Sequence, residues 1–281
     1  MPRALKSGRV IAGLILATII LTCAIAAPWL APHDPDDQDL IATLLPAMWQ
    51  TGGDAAHPLG TDGLGRDVLS RLLYGARVAM TVALTASLGA ALAGATLAYI
   101  AGYLGGWVDW LIGRAIDVWM SFPPVILSLI LMTGLGTGLR NVIIAIILVD
   151  WTRFCRVLRA EVIVTTHRDY VTAARLVGFS HWKTVTREIV PATIPLLVTL
   201  LTLEMGIAVV VEAILSFVGL GVKSSQIAWG QMIADGREAI YQAPWNLLAP
   251  VAAIFTTVAG FNLLGDGLRR SLDVRMIESR E

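Results

Sequence analysis

The chain has 281 residues, of which 56% are hydrophobic and 15% charged, with a mean hydropathy of +0.71. Soluble domains carry about 25% charged residues, so this composition excludes an ordinary soluble globule and points to an integral membrane protein. The formal net charge is zero, which excludes a bulk electrostatic pull toward nucleic acid.

A bilayer core of about 30 Å is crossed by about 20 apolar residues of helix. On that measure the expected spans are 10–31, 78–101, 116–135, 141–158, 194–217 and 245–264. The first follows Arg3, Lys6 and Arg9, and Ala24-Ile25-Ala26 has the small-residue look of a signal-peptidase site. Its apolar run is longer than a signal core of about 7–15 residues, so an uncleaved transmembrane helix is expected. In the second span Ala86, Ala90, Gly94, Ala98 and Gly102 recur every fourth residue, a small-residue stripe suited to close helix packing in lipid. The third carries Phe122-Pro123-Pro124, which predicts a kink. The fourth is interrupted by Asp150, Arg153 and Arg156, and with Trp151 the arginines are expected to snorkel to an interface. The two cysteines, Cys23 and Cys155, stand far apart in apolar segments, and no disulfide is expected.

Lys and Arg near the span ends set orientation. With the N-terminus inside, 15 of the 21 fall on the cytoplasmic side, including Arg3, Lys6, Arg275 and Arg280, and both termini are cytoplasmic. Arg66, Arg71 and Arg77 run against the rule, and an amphipathic segment on the outer face is expected before the second span.

The stretch 161–190 is the long polar segment on the cytoplasmic side. Tyr170-Val171-Thr172-Ala173-Ala174-Arg175 reads as a short helix whose small residues let a partner approach closely, stopped by Gly178 in a left-handed turn. Ser180 is expected to cap a second short helix, 181–189, ended by Pro191. Pushing on this elbow would move the fifth span.

These residues resemble the EAA loop of bacterial ABC importer permeases, and the chain as a whole is similar to the dipeptide/oligopeptide/nickel permease family. The resemblance is carried by His57-Pro58-Leu59-Gly60-Thr61-Asp62, by Gly65-Arg66-Asp67, by Gly102-Tyr103-Leu104-Gly105-Gly106-Trp107, by Trp151 with Arg153, Arg156 and Arg159, by the loop itself, and by Glu212–Gly221 with Trp229-Gly230. Three places depart from the family pattern. Thr172 replaces the usual glutamate, the loop ends Glu188-Ile189-Val190-Pro191-Ala192, and Ser224-Ser225 stands where a proline pair is common. The resemblance implies an all-α, polytopic fold of the type I importer class in a bacterial or archaeal inner membrane. It divides into an N-terminal helix and outer loop (1–77), a permease core (78–270) with a coupling loop (161–192), and a tail (271–281). It also implies two ATPase subunits, a second permease (here taken as a different chain), a solute-binding protein, and lipid contact. ATP would be bound by the partners, and this chain would carry no cofactor. The cargo would be peptides or a similar small solute, with nickel as the alternative.

Glu204 and Glu212 lie eight residues apart in the fifth span, and a carboxylate inside a bilayer is a functional candidate by default. They either line the translocation path or pair structurally. The four histidines, His33, His57, His167 and His181, share no metal-ligand spacing, and a conformational role is expected for His57. Phosphate-loop and hydrolase signatures are missing from the sequence, so ATP hydrolysis is assigned to a partner. A secondary transporter acting alone is the rival class; it predicts internal repeats and a midplane ion site, and leaves the basic elbow unexplained.

Overall fold

A computed structural model describes residues 8–223 and 226–272. Arg3, Lys6, Ser224, Ser225, Arg275, Arg280 and nearly all of the expected tail lie outside the described residues. The regular elements are α1 (Gly8–Leu30), α2 (Val68–Leu104), α3 (Gly106–Met120), α4 (Pro124–Leu135), α5 (Leu139–Thr166), α6 (Asp169–Leu176), α7 (His181–Thr184), α8 (Val190–Phe217), α9 (Trp229–Glu238) and α10 (Trp245–Leu272), with a long loop between α1 and α2. Among the described residues there is no strand, only an isolated bridge between Thr61 and Asp67.

α2 is the centre of the bundle. Its small-residue stripe faces α5, and Ala86, Ala90 and Ala98 are fully buried. A Cβ at Gly94 would lie 2.6 Å from the Cβ of Phe154 and 3.0 Å from the Cys155 amide nitrogen, and one at Gly102 would lie 2.7 Å from a Val162 methyl. Gly89 meets Ile147 in the same way. The pairing advances in step along both chains, so α2 and α5 run parallel, and α3 with α4 carries the return. α8 runs antiparallel to both. α10 crosses α8 where Gly265 faces Thr202, and α1 packs on α10 where Gly13 approaches the Leu264 backbone. The start of α1, the end of α2, α6 and the end of α10 therefore share one end of the molecule. The 31–67 loop and α9 share the other.

Among the described residues four helical rods are long and apolar enough to cross a membrane: α1, α2, His181–Phe217 and α10. A fifth exists if α3 and α4 form one span, and these are bent by 87° across residues 121–123. The continuous third span expected at 116–135 is thus a break. Pro124 takes the first-turn position of α4, where its missing N–H costs nothing, and the chain before it turns instead of kinking. α5, at 28 residues, is also of spanning length but is charged along its second half.

Two further expectations are corrected. α2 begins at Val68, about three turns before the expected start, because the Asp67 side chain accepts from the Ser70 amide at 2.7 Å and caps the helix there. No separate amphipathic segment precedes it. Pro191 does not end a helix. Residues Val185–Ile189 widen into a π-helical turn, with the Val190 amide donating to the Val185 carbonyl. Helix 181–217 then runs on through Pro191 at the start of α8. A wider turn relieves the clash between a proline ring and the carbonyl one turn back.

Gly94→Leu should abolish recovery of folded chain, since overpacking costs about 1–3 kcal/mol even where side chains can yield and here the obstacle includes the α5 backbone. Gly113→Ala, with nothing within 4 Å of its Cβ, should be silent. Size-exclusion profiles of detergent-solubilised chain before and after heating check both.

Candidate functional site

Three regions draw in the residues singled out by sequence. At the α6 end, Val171 and Ala174 bury one side of α6 against Val162, Ile189, Tyr99, Tyr103 and Val185. The opposite side is open: Tyr170, Thr172 and Ala173 are exposed, and beyond them Leu176 is 85% and Val177 79% exposed. Ala174 therefore faces its own chain, and the small surface offered outward is Thr172 with Ala173. Gly178 has φ +90°, with its amide donating to the Arg175 carbonyl and the Phe179 amide to Ala174, the paired bonds of a Schellman stop. Ser180 caps α7, accepting from the Lys183 amide at 3.4 Å. Pro191 is exposed at the foot of α8. A latch missed by sequence reasoning ties this end together. Tyr103 Oη lies 2.8 Å from His181 Nδ1, the Arg175 guanidinium sits 5.1 Å above the Tyr103 ring, and Tyr99 Oη lies 2.7 Å from Thr193 Oγ1. The only sequence hint was the family-like Gly102–Trp107 run.

Halfway along the bundle the α5 arginines are paired with carboxylates and stay partly exposed. Arg153 reaches Glu204 at 3.4 Å and Asp150 at 3.7 Å. Arg156 reaches Asp117 on α3 at 3.2 Å, and Arg159 makes a two-pronged contact with Asp109. Asp150 and Glu204 are buried, whereas the Arg153 side chain is 32% exposed, so the cluster opens to the surface through its cation. Glu212, further along α8, is buried and accepts from Ser216 Oγ at 2.6 Å. The two α8 carboxylates are thus not brought together.

At the far end the His57–Asp67 motif folds into a knot over the start of α2. Asp62 accepts from the Leu64 and Arg66 amides and from Arg66 Nε at 2.7 Å, and Arg66 reaches Asp235 of α9 at 3.3 Å. Arg71 is buried against Asp62 and the Pro35 carbonyl. These arginines ran against the orientation rule as free charges, but here they are neutralised. Gly60 and Gly65 both have positive φ, and any Cβ there would strike the backbone of Leu45 or Asp39. Asp62 and Arg66 line a cleft of about 580 Å³ with Arg71, Asp235 and Glu238, among apolar side chains such as Leu44 and Met232. His57 Nδ1 lies 3.0 Å from Asp67 Oδ1, and His33, unlinked to it by sequence, stacks on His57 at 4.5 Å. Trp229 is buried against Gly75 and donates to the Leu72 carbonyl, while Gly230 abuts the Ala213 backbone. That explains the Trp-Gly pair: it wedges α9 between α2 and α8.

The family described as binding-protein-dependent transport system inner membrane component matches residues 94–278. The one described as N-terminal TM domain of oligopeptide transport permease C matches residues 3–47. The chain is 42% identical to the dipeptide transport system permease protein of Escherichia coli over 266 residues, 95% of this chain and 89% of that one. It is 37% identical to the di/tripeptide transport system permease protein of Pseudomonas aeruginosa over 264 residues, 94% and 87% of the two chains. It is 39% identical to the nickel transport system permease protein of Escherichia coli, also over 264 residues, 94% and 93%.

Arg153→Leu should strand Asp150 and Glu204 without a cation. Breaking such a buried pair costs on the order of 3 kcal/mol, read as a lower thermal midpoint in detergent. Adding Asp150→Asn and Glu204→Gln should restore most of the loss.

Proposed function

The chain belongs to the binding-protein-dependent transport system inner membrane components, as a multi-pass permease subunit of an ABC importer, and we propose that it moves di- or oligopeptides into the cell. The cargo reading draws on the relatives named for dipeptide and di/tripeptide transport; the relative named for nickel transport makes nickel the second reading. The observation that carries the mechanism is the outward side of α6. A helix of eight residues, anchored from beneath and capped by exposed Leu176 and Val177, is shaped for a cleft on another protein. We assign that cleft to an ATPase subunit, one for this chain and one for a second, different permease.

In this reading the α6 end, which α1 starts from and α10 ends at, is cytoplasmic. The opposite end, with the 31–67 loop and the cleft at Asp62 and Arg66, meets a solute-binding protein. ATP is bound and hydrolysed by the partners. Closure of the ATPase pair would move α6, and the rod 181–217 would follow through the Tyr103–His181 latch and the Gly178 turn, so that the path opens to the far side. The path would form between this chain and the second permease. Glu204 would reach it through Arg153, and Glu212 would shape α8 at its outer end. Thr172 stands where a glutamate is common, so docking at this position rests on shape and not on a salt bridge.

Purification in mild detergent from native membranes should bring down ATPase subunits and a second permease. Recovery of this chain alone, still transporting in liposomes without ATP, would replace the importer reading by a secondary transporter. Gly178→Pro cannot adopt φ +90° and should abolish uptake by the reconstituted assembly while leaving ATP hydrolysis and membrane insertion in place. Gly178→Asn, which tolerates the left-handed region, should keep most of the uptake. Normal uptake by the proline variant would remove α6 from the coupling role.

A further inference from the structure

His33, His57 and Asp67 come from three separately held segments and converge at the start of α2, at the end of the molecule opposite α6. One candidate ligand atom from each, all within 4.8 Å of one another, makes a set of two imidazoles and a carboxylate. His57 Nδ1 is 3.0 Å and His33 Nδ1 3.9 Å from the same oxygen, Asp67 Oδ1. The other carboxylate oxygen, Oδ2, is taken by the Ser70 amide and hydroxyl, both at 2.7 Å. The Asp67 side chain is therefore fixed in orientation with Oδ1 turned to the two rings.

Each histidine is also positioned by its own backbone. The His33 amide donates to Ser70 Oγ at 3.1 Å, and His57 sits in a turn whose amide donates to the Asp54 carbonyl at 3.1 Å. The rings stack with centroids 4.5 Å apart and planes 23° from parallel, which brings both Nδ1 atoms to one side. His33 Nδ1 is buried and has no hydrogen-bond partner. Buried polar atoms without partners are rare in folded proteins and call for an explanation. Capping of α2 supplies none, because Asp67 caps the helix through the Ser70 amide alone.

We propose that His33, His57 and Asp67 form a site for a divalent transition cation of the zinc class, bound through the two Nδ1 atoms and Asp67 Oδ1. Imidazole nitrogen with a single carboxylate oxygen suits such ions better than calcium or magnesium, which prefer all-oxygen sets. Bonds of about 2.0–2.1 Å at a tetrahedral centre place ligand atoms about 3.3 Å apart. The His57–Asp67 pair, at 3.0 Å, already stands near that spacing. His33 Nδ1 has to close by about half an ångström toward Asp67 Oδ1, and the widest separation in the set, up to 4.8 Å, by up to about one and a half, so the His33 ring has to move on binding. On binding, the ring proton of His57 moves from Nδ1 to Nε2, and the ion takes its place beside Asp67. A fourth position is left for water. The ion acts as a resident staple between the exit of α1 and the entry of α2, and the proposal does not depend on the transport reading.

The test uses the full-length, untagged chain in detergent, stripped with a chelator and then titrated with zinc. One zinc per chain by elemental analysis is expected, with a higher thermal midpoint in its presence. Cobalt(II) in place of zinc should give the visible absorption of a low-coordinate nitrogen and oxygen site. Loss of one outer contact weakens a metal site by about 10–100-fold, so His33→Asn and His57→Asn should each weaken zinc binding by more than about a hundredfold. His33→Asn should lower the metal-free midpoint far less than it lowers zinc affinity, since His33 Nδ1 has no hydrogen bond to lose and the main contact removed is the stack on His57. His167→Asn and His181→Asn, at the opposite end, should bind zinc as the parent does. Absence of stoichiometric zinc in the parent, or zinc binding that survives His33→Asn undiminished, would overturn the site.

Discussion

The molecule depends on one close contact, the parallel seam between α2 and α5. Inside a bilayer there is no hydrophobic force to bring two helices together, because lipid is as apolar as leucine. What remains is contact between surfaces, and it is strongest where side chains are smallest. Gly94 lets α2 sit almost on the α5 backbone, and Ala90 and Ala98 continue the seam on either side. A seam of this kind has little freedom to slide, so α2 and α5 act as one body. Two side-chain clusters lie at the ends of that body: the Asp67 knot where α2 starts, and the Tyr103 latch where it finishes.

Charge is placed around the seam in a way that fixes neighbours. Arg153, Arg156 and Arg159 leave α5 at three-residue intervals, and their partners belong to α8 and α3 as well as to α5 itself. A buried ion pair is weak evidence for stability, because desolvation offsets much of the attraction. A ladder of such pairs still has a strong preference for one register, since a helix shifted along α5 would leave several charges unanswered at once. The broken α3–α4 segment needs that help. α3 is short, bent sharply away from α4, and mostly exposed on its outer side, so its position along α5 is set by Asp109, Asp117 and the Trp119 indole donating to the Leu148 carbonyl.

What the sequence disclosed follows the range of the forces involved. The apolar runs of α1, α8 and α10 were legible because burial in lipid acts on each residue separately. The packing stripe of α2 was legible because period four is a property of one helix. The Gly178 stop was legible because left-handed backbone is a local demand. The misreadings share a different cause. Whether Phe122-Pro123-Pro124 kinks or breaks a helix depends on what holds the two halves, and the ladder on α5 lies far away in sequence. Whether Pro191 ends a helix depends on a π turn that no periodicity announces. The arginines at 66, 71, 153, 156 and 159 looked free because most of the carboxylates they meet, Asp36, Asp109, Asp117, Glu204 and Asp235, stand far away in sequence. His33 and His57 looked unrelated because 24 residues separate them, although the loop between folds back on the start of α2.

The π turn connects the polar loop to the interior of the bundle. A helix that stopped at Pro191 would leave α7 as a separate piece, and movement of the polar loop would be absorbed by the joint. By widening one turn, the chain carries a proline and stays continuous from His181 to Phe217. The rod then has a foot outside the apolar region, held by Tyr103 and Tyr99 to the α2–α5 body, and a distal half packed against α10. Its second stop, at Gly219, repeats the bond pattern found at Gly178, with the Gly219 and Leu220 amides donating back to Ser216 and Leu215. From there the Gly138 amide donates to the Gly221 carbonyl, which returns the rod to the start of α5. The rod is therefore tied to the same body at both ends, so displacement at its foot has to be taken up as tilt between those ties. If the α6 end is driven as proposed, such a tilt would move Glu204 relative to Arg153, and the buried charges would be where that change is first felt in the interior.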